Sequence, residues 1–157
     1  MKWMCVIIAM LCYDYVDAQD ALYIREKSYE GYIFNKEHCI WGFQPEPTRY
    51  TPTLDNIAQA EMILRDSIES NYVKSKQKVY RKPPINKKTL KKYVRQYVGF
   101  LSEDGDVIIQ IYFNRGHVIN EMSKDIIVVL DGGFNHWSIK INLSTKELFD
   151  MYVNGAA

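Results

Sequence analysis

Few residues in this sequence are suited to chemistry, and their spacing decides what they can do. The histidines are His38, His117 and His136, the cysteines are Cys5, Cys12 and Cys39, and Asp131 opens a diglycine turn shortly before His136. Zinc sites announce themselves by paired ligands within a turn of each other, and no two cysteines or two histidines stand that close. A thiol–imidazole dyad of Cys39 with His117 or His136 would depend on a spatial proximity that spacing does not supply. Gly132 and Gly133 lie between two strand-like stretches and open no helix, so they do not form a phosphate-binding loop. No catalytic residue, no metal and no organic cofactor is therefore expected. What remains is contact chemistry. Arg115 and His117 stand in the loop from Asn114 to Lys124, and Asp131, Asn135 and His136 in the loop from Asp131 to His136, each placed to touch a ligand or a partner.

The strands around these loops must position them. Tyr97, Val98 and Phe100 precede the turn Ser102, Glu103, Asp104, Gly105, Asp106, and Val107, Ile109, Ile111 and Phe113 then recur every second residue, the period of a strand with one buried face. Trp137, Ile139, Ile141 and Leu143 alternate with Ser138, Lys140 and Asn142, and the turn Ser144, Thr145, Lys146, Glu147 reverses the chain into Phe149, Met151 and Val153. Between the two hairpins Ile126 to Leu130 is apolar at every position, as a central strand covered on both faces would be. Upstream, Tyr29 to Phe34 and Cys39 to Phe43 are short strand candidates in an otherwise irregular segment.

One helix is expected from Tyr50 to Ser70. Thr53 caps it, Asp55 suits the positive end of its dipole, and Ile57, Ala60, Leu64 and Ile68 recur on one side. That stripe is expected to share a core with Trp137, Ile139 and Ile141. The expected fold is α+β, with one main helix packed on a four- or five-stranded antiparallel sheet. Its topology is read as cystatin-like first and as a cone-shaped NTF2-like roll second. The boundaries read as a signal peptide over 1–18, an irregular N-terminal segment with short strands over 19–49, and the α+β domain over 50–157.

At 157 residues, 47% hydrophobic and 25% charged, the chain suits one globular domain. Lys2, the apolar run Trp3 to Cys12, and the small-residue pattern Val16, Asp17, Ala18 are the three parts of a secretory signal, with Gln19 first after cleavage. The run falls well short of the ~20 residues that span a bilayer. A lipoprotein anchored through Cys12 is the alternative, and Leu11 before that cysteine argues against it. Cleavage leaves Cys39 alone, read as a small buried apolar residue, and moves the net charge from +1 to +2. From Lys74 to Arg95 ten residues are Lys or Arg, and no acid occurs between Glu69 and Glu103. With Pro83 and Pro84 barring a continuous helix, this stretch reads as a solvated basic linker in preference to a polyanion-binding arm. Nucleic acid is not expected as the partner of an exported protein.

Gln96, Tyr97, Val98 and Gly99 are similar to the Gln-x-Val-x-Gly inhibitory hairpin of the cystatins, but the motif is one residue short and falls inside a strand. The inhibitory activity is therefore not carried onto these residues. A broader likeness covers Tyr50 to Ala157. Thr51, Pro52 and Thr53 before the helix, Arg95 to Gly99, Asp131 to Gly133, Trp137 to Leu143, and Val153, Asn154 and Gly155 resemble a family of small exported proteins without an assigned activity, found mainly in bacteria of the Bacteroidetes group. That resemblance implies export and an α+β fold. The expected function is a non-enzymatic exported module, binding or inhibitor-like, that engages a protein or envelope ligand through the sheet face or the two loops. The rival is a small hydrolase on the concave sheet face, which would bring His117, His136 and an acid within hydrogen-bond reach. Oligomeric state is left open.

Overall fold

The computed structural model describes residues 20–40, 48–74, 85–116, 121–129 and 131–155, with the backbone alone for 71–74. The expected signal peptide lies outside the described residues. Among the described residues seven strands form one mixed sheet: β1 (Leu22–Arg25), β2 (Glu30–Phe34), β3 (Arg49–Tyr50), β4 (Val94–Leu101), β5 (Val107–Asn114), β6 (His136–Asn142) and β7 (Leu148–Val153). Their order is β1-β2-β4-β5-β6-β7, and β3 pairs with β4 at Phe100 and Gly99, just beyond where β2 ends. β2 and β4 run parallel, whereas every other pair is antiparallel. Parallel neighbours cannot be joined by a tight turn, and the helix α1 (Leu54–Lys74) lies in the connection between them.

The sheet is thus larger than the expected four or five strands and not purely antiparallel. The additional strands come from 19–49, where Ile33 packs on one face of the sheet and Phe34 on the other. With both faces covered, β2 loses the in–out alternation by which a strand is read. Ile126 to Leu130 departs in the opposite direction. Residues 126–129 are irregular, Ile126 is buried while Val128 is 75% exposed, and Leu130 lies outside the described residues. The Ile127 backbone N–H donates to the side chain of Gln96 (2.9 Å) and not to a neighbouring strand.

Thr53 and Asn56 cap α1 reciprocally: the Asn56 N–H donates to Thr53 Oγ1 (3.2 Å) and the Thr53 N–H to Asn56 Oδ1 (3.1 Å). The helix begins at Leu54, later than expected, because Thr53 and its neighbours supply the cap and not the first turn. Ile57, Ala60, Ile63, Leu64 and Ile68 enter one core with Tyr97, Ile109, Ile111, Trp137, Ile139 and Ile141, as the two apolar stripes imply. A second, smaller core forms on the opposite face from Ala21, Phe34, Ile40, Val98, Phe100 and Ile126. Its lid is held by hydrogen bonds from the Ala21 N–H to Ser123 O (2.8 Å) and from His38 Nε2 to Lys124 O (2.6 Å). Cys39, expected buried, is free and exposed.

The basic stretch is not wholly a linker. Its residues 75–84 lie outside the described residues, but Ile85, Leu90, Tyr93 and Arg95 are buried. A short 3-10 turn, Leu90–Lys92, plugs Leu90 into the main core and leaves Lys91 and Lys92 at the surface.

Candidate functional site

The two loops expected to carry contact residues do meet, at the end of the sheet where Asn114 of β5 pairs with His136 of β6. The Arg115 N–H donates to Asn135 O (2.9 Å), and Asn135 closes a 3-10 turn, Gly133–Asn135, that delivers His136 into its strand. Arg115, Asp131 and Asn135 are exposed, whereas His136 is half-buried; His117 lies outside the described residues. His136 Nδ1 stands 3.0 Å from Asn114 Oδ1, so its partner there is a carboxamide where a hydrolytic dyad would present a carboxylate. Gly132 lies against the imidazole: a Cβ built on it would fall 2.5 Å from His136 Cδ2, so the glycine is required for the ring's position. Among the described residues no three His, Cys, Asp or Glu side chains gather in a way that would hold a metal ion.

A larger and more strongly charged site stands elsewhere, between α1, the β1–β2 turn and the folded end of the basic stretch. Its floor is a buried ion pair. Glu61 (3% exposed) on α1 and Arg95 (1% exposed) on β4 meet side-on, with Arg95 Nε 2.9 Å from Glu61 Oε1 and Nη2 3.4 Å from Oε2. The Tyr97 hydroxyl donates to Glu61 Oε1 (2.9 Å), and burial, followed by the charge of Glu61, pushes that phenol well above its usual 10.0, so it stays a donor. Arg95 Nη1 donates to Tyr93 O (2.6 Å), and the guanidinium packs 5.5 Å from the centre of the Phe113 ring.

Above this floor opens a cleft of about 480 Å³, lined by Lys27, Glu61, Arg65, Lys87, Lys91 and Arg95, with Ser28 and Leu90 completing its wall. Five of these side chains are cationic. The single acid among the described lining residues, Glu61, is already engaged by Arg95 and Tyr97. A guanidinium has five N–H donors, and Arg95 uses one on Tyr93 and two on Glu61. The other two have no acceptor among the described residues. Glu26, Glu30 and Asp66 stand in adjoining hollows that share Lys27, Arg65 or Lys91 with the cleft. Tyr29 lines those hollows too, its hydroxyl held above the usual 10.0 chiefly by burial.

Of the cleft, reading the sequence found only a run of positive charge. A sharper signal was present. Arg95 sits at an inward position of β4 between Tyr93 and Tyr97, and Glu61 follows Ile57 by four residues on the helix face that turns to the core. A charge out of register on each of two apolar stripes points to a buried pair between them. Compared with protein-family models, curated proteins and solved structures, the chain matches none.

Proposed function

We propose that the protein is a non-enzymatic exported binding module that takes a small multivalent anion into the cleft over Glu61 and Arg95. One observation carries this reading: five cationic side chains converge on a single cleft whose only acid among the described residues is already paired. A volume of about 480 Å³ falls within the range of roughly 300–1,000 Å³ typical of small-molecule sites. Walls of one sign concentrate a counter-charged ligand, and a buried guanidinium with spare N–H donors matches the planar fork of a carboxylate or a phosphate. The dimensions suit a small anion and not a polymer, and scattered lysines alone are expected to retain heparin only weakly at physiological salt. Export is supported by the three-part signal in residues 1–18 and by the likeness to small exported proteins.

Thermal unfolding at low ionic strength tests the reading with three probes: citrate, inorganic pyrophosphate and a sulfated disaccharide. A ligand that binds the folded state at a hundredfold excess over its Kd stabilises by about 2.7 kcal/mol, enough to raise the Tm by several degrees. At least one probe is expected to do so for the wild type and to fail with Lys91→Glu. No shift with any probe, or equal shifts in both proteins, would overturn the proposal.

A further inference from the structure

The sheet face away from α1 carries a different site, built on a chain of three side chains. Gln96 is fully buried and fixed at both ends of its carboxamide: Nε2 donates to Met122 O (2.9 Å) and Asp125 O (2.7 Å), while Oε1 accepts the Ile127 N–H (2.9 Å). Asn114 Nδ2 donates to that same Oε1 (3.2 Å), which turns Asn114 Oδ1 toward His136 Nδ1 at 3.0 Å. An amide oxygen can only accept, so the proton of His136 must be on Nδ1. The neutral ring therefore keeps its lone pair on Nε2, which has no hydrogen-bond partner among the described residues. Burial lowers the imidazole below its usual 6.5, so the neutral form prevails at physiological pH.

Backbone groups at one end of this chain thus dictate the tautomer at the other. His136 lines a cavity of about 130 Å³ together with Ser138, Asn154, Ile127, Val128 and Tyr152. Val128 and Tyr152, 75% and 63% exposed, give the cavity an apolar rim. The Asn154 amide donates to Val129 O and ties the end of β7 to the segment that carries Val128. The site therefore combines an apolar rim with a lining imidazole whose tautomer is fixed.

We propose that this cavity is a ligand site for a small ring compound bearing one hydroxyl or N–H donor, with the donor on His136 Nε2 and the ring against Val128 and Tyr152. The cleft over Arg95 selects charge, whereas this cavity selects a neutral donor on an apolar body. The two sites are independent, and either can fail without the other.

Phenol and fluorobenzene have nearly the same shape and differ in the donor, so they separate oriented binding from apolar adhesion. In nitrogen NMR spectra of the isotope-labelled full chain near neutral pH, His136 is expected to show a protonated Nδ1 and an unprotonated Nε2. Phenol is expected to shift Nε2 and Tyr152 saturably, with an affinity about fivefold above that of fluorobenzene, the worth of one hydrogen bond. His136→Gln is expected to abolish that preference. A proton on Nε2, equal affinities for the two probes, or an unmoved His136 would each overturn the proposal. Should the variant fail to fold, the wild-type tautomer and the comparison of the two probes still decide.

Discussion

Burying the Arg95 guanidinium to 1% exposure is unfavourable unless a counter-charge and hydrogen bonds replace its water; Glu61 and the Tyr93 carbonyl supply these, and the Tyr97 hydroxyl holds Glu61 in place. Removing one partner is then worse than never having had the pair. Glu61→Ala is expected to lower the unfolding free energy by about 3 to 5 kcal/mol, measured by urea denaturation, because it leaves the guanidinium uncompensated. A loss below about 1 kcal/mol, the ceiling for an exposed pair, would show that water reaches Arg95 freely. His136 gives a pH-dependent counterpart. Its folded pKa lies below 6.5 because burial disfavours the charged ring, so the unfolded chain binds the proton more readily. Its contribution to stability is therefore complete above 6.5 and is lost as the pH falls from there through the folded pKa. The NMR titration of the ring is expected to have its midpoint below 6.5, and the stability difference between wild type and His136→Gln to shrink on acidification over that window. A midpoint at or above 6.5 would contradict the burial argument.

At the level of elements, β6 divides its residues sharply: Ile139 is fully buried in the core with Ile57, Leu64 and Ile68, while the Lys140 ammonium reaches Asp150 at the surface (3.1 Å). Ile139→Ala is expected to cost about 2 to 5 kcal/mol. Lys140→Ala should cost less than about 1 kcal/mol, since its ion pair is largely solvated. Equal effects in denaturation curves would refute the register of β6. This division was legible in the sequence, as were the hairpins β4–β5 and β6–β7 and the helix with its Thr53 cap, because β5, β6 and α1 each keep a clean apolar period and a marked turn joins the strands of each hairpin, although β4 itself is buried on both faces. β2 was only half legible, since Ile33 and Phe34 enter cores on opposite faces and leave no alternation to read. Ile126 to Leu130 misled for a related reason. The run has the composition of a doubly covered strand, yet it leaves Val128 75% exposed, and Gln96, 31 residues earlier in the chain, supplies the hydrogen bond that a neighbouring strand would have given Ile127. The polar chain from Gln96 to His136 was illegible because Gln96, Asn114 and His136 come together only through strand register.

For the whole molecule, the three-part signal in residues 1–18 leads to the expectation that the mature chain starts at Gln19 or its cyclised form. Mass spectrometry of the protein recovered from its producing cells and their medium checks this; an acylated Cys12 or an uncleaved cytoplasmic chain would contradict it. The small net charge, +1 for the full chain and +2 after cleavage, makes the cleft informative, because attraction of an anion then has to come from where the charges sit and not from their sum. Lys91 lines the cleft, whereas Lys146 stands in the β6–β7 turn away from it, and reversing either changes the net charge by the same amount. Calorimetric titration of citrate into wild type, Lys91→Glu and Lys146→Glu at low ionic strength therefore tests the central claim most directly. The account requires saturable binding to wild type and Lys146→Glu and a loss of at least about tenfold in Lys91→Glu, the ~1.4 kcal/mol that one well-placed charge supplies. Equal weakening by the two reversals, or no binding to any of the three, would contradict it.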